Sequence, residues 1–397
     1  MLATIKTKLN YLSFVMTYFF YYFSFAIFSC LIAVYLLDKG FSPAETSLVV
    51  SSSFLSSMIA QPIIGSLSDH YSLKRVNQSV FLLACFGGIY FAYASSLIAC
   101  IIGYSFVLAL INGSNPILEK LATLSPYKYG AIRVWGTIGY AVGSQAAGII
   151  YAFIAPQAIF FTFVLTLVLA MIGLYFAKPD MKKQQLLQKA KTKQQQANQK
   201  THLFSLFKNH LFVQYLLIAG IFFSLINIAN TYIPAMFQAE GLKLTVVSNI
   251  LFWAVLCEVP VVFFSYLFMD RLSNKILLII PTLIVLAQFF SFGFNLWLPI
   301  QVFWTLFAKH PASMIFVMMN LKIVATLIPE DQQISALALI QTIRNLASML
   351  AQSLFGWLLE KSGYHQMFLI AFGLIACVLL ALIFYRIPKS PKQKIFS

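Results

Sequence analysis

The sequence predicts an all-α membrane protein with twelve transmembrane helices arranged as two pseudo-symmetric six-helix bundles. Of the 397 residues, 60% are hydrophobic and only 10% are charged, and the mean hydropathy is +0.84. A spanning helix requires about 20 mostly apolar residues, and such stretches follow one another along the chain between short polar breaks. One long polar interruption near the middle separates two similar sets of stretches.

Twelve apolar stretches can be assigned in order, six on each side of this interruption. The first is longer than a signal-peptide core and no small-residue cleavage site follows it, so we expect it to remain as a helix. The stretches run from Tyr11 to Leu37, Ala44 to Leu67, Gln78 to Ala94, Leu97 to Leu118, Gly130 to Ile154, Gln157 to Ala177, His210 to Phe237, Thr245 to Met269, Ile276 to Leu296, Leu298 to Leu327, Ile334 to Leu359 and His365 to Tyr385.

The polar interruption from Lys178 to Asn209 is rich in Lys and Gln, which predicts a cytoplasmic linker. It divides the chain into an N-terminal bundle (1–177), the linker (178–209) and a C-terminal bundle with a short cytoplasmic tail (210–397). The two halves resemble each other, because four identities recur at a separation of 201 residues, which indicates an internal repeat. The pairs are Gly40 and Gly241, Asp69 and Asp270, Ser72 and Ser273, and Lys74 and Lys275.

The charge distribution predicts the orientation in the membrane. The net charge is +16, but the basic residues lie in loops rather than on one helix face, so we expect a lipid bilayer and no nucleic acid as the partner. One side collects Lys6, Lys8, Lys74, Arg75, Lys120, Lys128, Arg271, Lys275, the central Lys run and the tail from Arg386 to Lys394, whereas the other holds only Lys39, Lys243 and Lys361. The positive-inside rule therefore predicts a multi-pass protein of the plasma (inner) membrane with both termini cytoplasmic.

Enzymatic and ATP-driven activities are disfavoured by what the sequence lacks. The five cysteines are scattered through apolar segments, and the five histidines show no metal-ligand spacing. No catalytic triad pattern and no P-loop is present. We expect no metal and no cofactor, and a protein that functions as a monomer.

One loop carries a motif found in a large transporter family. Gly65-Ser-Leu-Ser-Asp69-His-Tyr-Ser-Leu-Lys74-Arg75 resembles the loop between the second and third helices of the major facilitator superfamily. The resemblance implies a major facilitator fold, with these charges forming a cytoplasmic gate, and Asp270, Arg271 and Lys275 form the corresponding set in the second half. An ordinary positively charged loop that only sets topology remains the alternative.

A more specific resemblance runs through nearly the whole chain, to the oligosaccharide:proton symporter (lactose permease-like) branch of this superfamily. It is carried by FFYYFSFAIFS and QPIIGSLSD near the start, and by Glu119-Lys120 followed by Tyr129-Gly-Ala-Ile-Arg133-Val-Trp135-Gly-Thr-Ile-Gly-Tyr. The resemblance implies sugar binding around Arg133. Glu119 and Trp135 are further candidates for binding the substrate, Trp135 because its ring can stack on a sugar.

The chain also departs from this branch at several positions. Asn115 stands where the branch has a sugar-binding acid, and Asn227 and Asn230 replace two aspartates of the seventh helix. No acid follows His310 where the branch has its proton site. Lactose specificity is therefore not expected. The three amides remain candidates for binding substrate hydroxyls, with helix-to-helix hydrogen bonding as the alternative.

Ionisable residues inside apolar helices are costly and usually functional. Glu258, near the middle of the eighth stretch, is our candidate proton site, and a purely structural ion pair is the alternative. Lys309 and His310 either join the coupling network or lie near the outer interface. Lys322 is expected to extend toward the lipid headgroups.

Arg133 and Arg344 are the cations expected to contact the substrate, one from each half. Because Asn227 replaces the acid that the branch pairs with the Arg344 position, Arg344 requires another counterion, either Glu258 or an anionic substrate. We therefore expect a secondary active transporter that takes up a sugar or related small polar solute together with a proton. The alternatives are proton-coupled efflux of drugs or metabolites, and uptake of an organic anion or nucleoside.

Overall fold

The computed structural model describes residues 2–180, 206–269, 271–329 and 332–386, without the side chains of residues 2–7, 69 and 334. Within these ranges the chain forms helices joined by short connections and contains no β-strand. The elements are α1 (Leu2–Ser29), α2 (Ile32–Asp38), α3 (Pro43–His70), α4 (Leu73–Tyr93), α5 (Leu97–Thr123), α6 (Tyr129–Phe153), α7 (Ala158–Phe176), α8 (His210–Ala239), α9 (Leu244–Leu256), α10 (Glu258–Phe263), α11 (Ser265–Phe268), α12 (Asn274–Gly293), α13 (Leu298–Phe307), a π-helical turn (Ala308–Ala312), α14 (Ser313–Leu327) and α15 (Gln333–Phe384).

Ten stretches of the described residues are long and apolar enough to cross a membrane. The chain is therefore a multi-pass helical membrane protein, as its composition predicts. Two differences separate this number from the expected twelve. The helix α6, with five glycines and Arg133, is not among the ten stretches. The last stretch, Ser335–Phe384, is 50 residues long and contains Gly363 at φ +77°, where two helical segments meet.

Three of the predicted spans are interrupted helices. In the first, a turn at Cys30 and Leu31 separates α1 from α2. In the other two, a proline explains the break, because it lacks a backbone N–H and its ring clashes with the carbonyl four residues earlier. That carbonyl belongs to Leu256, the last residue of α9, in the case of Pro260, and to the last residue of α13 in the case of Pro311.

The chain divides into two compact units. The first comprises Met1–Leu31 and Ser56–Thr201, and the second comprises Ile32–Leu55 and His202–Ser397. Most of the predicted linker lies outside the described residues, as does most of the basic C-terminal tail.

In the first unit, α1 packs along α6 and α7, and α4 packs against α5 and α7. The contact between α1 and α6 depends on glycine, because a Cβ at Gly139 would lie 2.2 Å from the carbonyl oxygen of Phe19, and one at Gly143 would lie 2.6 Å from that of Phe23. Small residues allow helix backbones to approach closely where the surrounding lipid supplies no hydrophobic driving force. This close packing fixes the face of α6 that carries the candidate site.

In the second unit, α8 and α12 both pack against α15, and α2 packs against α8. The rings of Phe222 and Phe316 stack with centroids 4.0 Å apart. The expectation for Lys322 is wrong: its side chain is only 4% exposed and its ammonium donates a hydrogen bond to the carbonyl oxygen of Met269. The free backbone carbonyl beside the break after α11 offers Lys322 a nearer acceptor than the membrane surface.

Candidate functional site

A charged cluster lies in the first unit, where α1, α5 and α6 meet. Arg133 Nε on α6 donates a hydrogen bond to Glu119 Oε1 on α5 at 2.9 Å. The hydroxyl of Tyr129, at the start of α6, donates to Glu119 Oε2 at 2.5 Å. The ion-paired side chains of Arg133 and Glu119 remain 30% and 35% exposed. The pair is therefore electrically neutral and still accessible to a solute.

Tyr22 on α1 completes this cluster. Its ring lies under the guanidinium of Arg133 at 4.6 Å from the ring centroid, and its hydroxyl lies 2.8 Å from Asn115 Oδ1 and 3.1 Å from Glu119 Oε1. A Cβ at Gly136 would lie 2.6 Å from the Tyr22 ring. The absence of a side chain at Gly136 thus provides the space that the Tyr22 ring occupies. Sequence reasoning missed Tyr22 and Tyr129 as site residues.

Asn115 and Trp135 flank the cluster in different ways. Asn115 lies one turn before Glu119 on α5 and is connected to the cluster through Tyr22. The indole nitrogen of Trp135 donates to the hydroxyl of Tyr11 at 3.2 Å. Asn115 is therefore linked to the ion pair through the Tyr22 hydroxyl, and Trp135 is held against α1 by a separate hydrogen bond.

A second ionisable pair lies in the second unit. His310 Nδ1 is 3.4 Å from Glu258 Oε2, and the two side chains are 18% and 17% exposed. Glu258 begins α10 directly after the break in the eighth predicted span, and His310 lies in the π-helical turn. Both groups therefore sit at helix irregularities caused by Pro260 and Pro311. An imidazole next to a carboxylate can donate a hydrogen bond to it or pass a proton to it.

Lys309 also lies in the π-helical turn and is only 4% exposed. Because an i to i+5 turn inserts one extra residue, it alters which side chains share a face with the rest of the helix. Such turns are frequent at functional sites. Periodicity alone does not reveal the register of Lys309 and His310.

Arg344 on α15 has a different environment from Arg133. Its guanidinium carbon lies 3.4 Å from the ring centroid of Phe223, and Nη1 donates to Gln341 Oε1 at 3.3 Å. No salt bridge joins it to a carboxylate of the described residues, and Glu258, one of the two expected counterions, pairs with His310 instead. The expectation of a Glu258–Arg344 pair is therefore not met.

The free-energy cost of the Arg344 charge inside the membrane can be compared with what its contacts recover. An ionisable group at bilayer depth costs at least about 2.5 kcal/mol. A desolvated cation over an aromatic face recovers about 2 kcal/mol or more. Phe223 and Gln341 carry no negative charge, however, so these two contacts do not neutralise the guanidinium of Arg344.

The two side-chain amides of α8, Asn227 and Asn230, differ in their hydrogen bonds. Asn227 Nδ2 donates to Ser348 Oγ on α15 at 2.8 Å, which is the helix-to-helix bond that the sequence left open as an alternative. Asn230 Oδ1 is buried and accepts no hydrogen bond from the described residues. Asn230 thus retains an acceptor for another group.

The predicted gate residues can be followed only in part. Lys74 Nζ donates to the carbonyl oxygens of Tyr175 and Ala177, each at 2.8 Å, and Lys275 Nζ donates to that of Ile383. Each lysine therefore binds the C-terminal end of a helix of its own unit, α7 or α15. Arg75 and Arg271 are exposed, and a Cβ at Gly65 would meet no atom within 4 Å. The side chain of Asp69 and the whole of Asp270 lie outside the described residues.

Comparison with known proteins shows the family to which the chain belongs. A sequence profile described as "MFS_1 like family" matches residues 11–328. The maltose permease of Geobacillus stearothermophilus is 31% identical over 160 residues, which are 38% of this chain and 40% of the permease. The raffinose permease of Escherichia coli is 28% identical over 177 residues, which are 41% of this chain and 41% of the permease. These two alignments thus span about two fifths of either protein.

Solved structures resemble the chain over nearly its full length. The nucleoside transporter NupG superposes with a TM-score of 0.76 at 15% identity, covering 96% of this chain and 98% of NupG. The D-xylose-proton symporter superposes with a TM-score of 0.72 at 14% identity, covering 98% of this chain and 100% of the symporter. At such low identity these likenesses establish the fold alone.

Proposed function

Starting from the fact that the chain belongs to the MFS_1-like family of the major facilitator transporters, we propose that it takes up a sugar or related small polar solute together with a proton. Its relatives are permeases rather than enzymes, and the chain is a multi-pass membrane transporter. The observation that carries the proposal is the partly exposed Arg133–Glu119 pair with Tyr22 and Asn115.

The cluster suits a polyhydroxylated solute for two reasons. Arg133 and Glu119 neutralise each other, so the cluster offers donors and acceptors without attracting a particular charge. The Trp135 ring, which is only half-buried, provides a flat apolar surface against which a sugar ring can stack. The maltose and raffinose permeases among the relatives favour the same class of solute.

Proton coupling is proposed at the Glu258–His310 pair. The two groups are 3.4 Å apart and mostly buried, so that gain or loss of a proton changes the net charge of a poorly solvated site. Such a change favours one arrangement of helices over another. Because both residues lie at helix breaks, small backbone adjustments there alter their separation.

The proposed architecture is twelve helices in two six-helix bundles, 1–177 and 210–397, joined by the cytoplasmic linker 178–209. Two pairs of equivalent structural features support the internal repeat. Gly40 and Gly241 adopt φ values of +94° and +92° at equivalent turns, and Lys74 and Lys275 each bind a helix C-terminus. We propose that each bundle contains one copy of the repeat and that one chain suffices for transport.

The gate and the orientation are proposed from the charge pattern. Gly65, Asp69, Lys74 and Arg75, with Asp270, Arg271 and Lys275, would close the cytoplasmic side in one state of the transport cycle. The excess of basic residues in these loops and in the linker favours cytoplasmic termini in a plasma membrane.

The proposal is tested by uptake of radiolabelled sugars, sugar acids and nucleosides into proteoliposomes with an imposed proton gradient. We expect accumulation by the intact protein and its loss in Arg133→Gln and Glu119→Gln. Expulsion of a preloaded apolar compound, with no accumulation of any polar solute, would replace this proposal with proton-coupled efflux.

A further inference from the structure

The two arginines expected to contact the substrate differ in how their charge is compensated. Arg133 is paired with Glu119 at 2.9 Å. Arg344 contacts the Phe223 ring at 3.4 Å and the neutral Gln341 at 3.3 Å, and no carboxylate of the described residues forms a salt bridge with it. A guanidinium in such surroundings remains charged, since arginine is not deprotonated in proteins.

The unused atoms around Arg344 are donors. Its Nε is buried and donates to no described residue. Gln341 accepts a hydrogen bond from Arg344 and donates one to Asn345 Oδ1 at 3.1 Å. The amide nitrogen of Asn345, which ends this series of hydrogen bonds, is also buried and has no acceptor among the described residues. Within two turns of α15, therefore, two donor nitrogens, Arg344 Nε and Asn345 Nδ2, have no acceptor among the described residues, and one positive charge has no counterion there.

An acceptor that also carries negative charge would satisfy both deficits. A carboxylate accepts hydrogen bonds only and matches the planar fork of a guanidinium in a bidentate arrangement. The Phe223 ring covers one face of the guanidinium, and the edge of this planar group carries the N–H donors. A hydroxyl of a neutral sugar can accept a hydrogen bond, but it leaves the charge uncompensated.

The depth of Arg344 fits a solute rather than the lipid surface. It lies eleven residues from the start of α15, which corresponds to about 17 Å along a helix. A lipid headgroup does not reach that depth. Asn230 Oδ1 on α8 is a further buried atom without a partner among the described residues.

We propose that the transported solute carries a carboxylate and that Arg344 binds it, so that the substrate is a sugar acid or a similar small hydroxylated organic acid. This inference rests on the proposed transport function and specifies its substrate class.

The first test is the thermal unfolding of the purified full chain with D-glucuronate and D-gluconate, and with D-glucose and D-sorbitol as neutral counterparts. We expect the two acids to stabilise the intact protein more than their counterparts do. Arg344→Gln should abolish this difference, and Arg344→Lys should weaken binding by about tenfold or more, because an ammonium cannot form the bidentate contact. Lys361→Gln, which removes an exposed cation over Trp357, should respond as the intact protein does.

Two further arms keep the inference separate from the transport proposal. Sodium chloride at the same ionic strength should not stabilise the protein, and an equal effect of chloride, lost in Arg344→Gln, would mean that any anion suffices and would overturn the inference. In proteoliposomes, uptake of D-glucose without uptake of either acid would overturn the inference but leave the transport proposal intact.

The unfolding temperature of the ligand-free protein tests the inference even if no tested solute is transported. Removing an uncompensated charge should leave the unfolding temperature of Arg344→Gln unchanged or raise it. A clearly lower unfolding temperature would show that the protein itself compensates Arg344, and would contradict the inference whatever the fate of the transport proposal.

Discussion

The Glu119 carboxylate binds three side chains. It forms an ion pair with Arg133 and accepts hydrogen bonds from the hydroxyls of Tyr129 and Tyr22. Glu119→Gln should therefore remove the ion pair with Arg133 and reorient both tyrosines. Losing a charged hydrogen bond in a partly exposed site costs about 1.5 kcal/mol or more. We expect solute affinity, measured by equilibrium binding, to fall by about tenfold.

The double variant Glu119→Gln with Arg133→Gln is the matched control for this prediction. If the two groups act as a pair, the double variant should lose less than the sum of the single losses. Fully additive losses would show that the two side chains contact the solute independently.

Glu240, in the loop directly after α8, provides a pH-dependent contribution outside the spanning segments. Burial raises the pKa of its carboxyl above the usual value near 4.5, and the nearby His365 opposes this shift. Since the raised pKa belongs to the folded protein, Glu240 contributes stability below about pH 4.5, and this contribution is lost as the pH rises through the raised pKa.

Glu240→Gln should remove that pH dependence. We expect the unfolding temperature of the variant, relative to the intact protein, to increase as the pH is raised from 4 toward neutrality. A difference that stays constant over this range, or that decreases, would show that the Glu240 carboxyl is not destabilised by burial.

At the residue scale, the sequence identifies charged site residues better than aromatic ones. Glu119, Arg133, Glu258 and Arg344 stand out because ionisable groups are rare in apolar helices. Tyr22 and Tyr129 do not stand out in a chain with 19 tyrosines, and only the packing of α1 against α6 brings the Tyr22 ring beneath the guanidinium.

Among the helices, the close approach of α1 and α6 positions Tyr22 against Arg133. Gly139→Ala would place a Cβ 2.2 Å from the carbonyl oxygen of Phe19, which requires the two backbones to separate. Overpacking of this kind costs about 1 to 3 kcal/mol. We expect a lower unfolding temperature together with weaker solute binding.

Gly130→Ala is the control on the same helix, because a Cβ there meets no atom within 4 Å. It should unfold at the same temperature as the intact protein or slightly higher, since alanine favours a helix. Equal destabilisation by the two substitutions would mean that the α1–α6 contact does not depend on the glycine at position 139.

The lysines of the repeated loop fix helix ends in both units. Lys74 binds the C-terminal carbonyls of α7, and Lys275 binds one carbonyl of α15, where a cation is also favoured by the helix dipole. Lys74→Gln and Lys275→Gln should each destabilise the protein by about 1 kcal/mol in denaturant titrations. Loss of transport without any loss of stability would instead assign these lysines to the gate alone.

Hydropathy predicts where the helices lie but not where they break. A window that averages about 20 residues does not register a two-residue turn at Cys30 or a π-helical turn at Ala308–Ala312. Pro260 and Pro311 each lie four residues after the end of a helix, but other prolines lie inside continuous helices, namely Pro62, Pro116, Pro234 and Pro281. A proline in the sequence therefore does not by itself locate a break. The rotation of helix faces beyond each break depends on tertiary packing and is not encoded in the periodicity.

For the whole molecule, composition and family resemblance predict the helical membrane fold and the transporter class. The substrate depends on the positions of a few side chains from distant parts of the sequence, such as Phe223 and Arg344, which no local pattern joins. Only the structure reveals that Arg133 forms a salt bridge with Glu119, whereas Arg344 forms none with the described residues.

Coupling of solute entry to proton entry is the central claim, and it is tested most directly by recording the external pH when solute is added to de-energised proteoliposomes. We predict that the medium becomes more alkaline as solute and protons enter together, and that Glu258→Gln still exchanges solute between the two sides without this pH change. Solute entry by the intact protein with no movement of protons would contradict the claim.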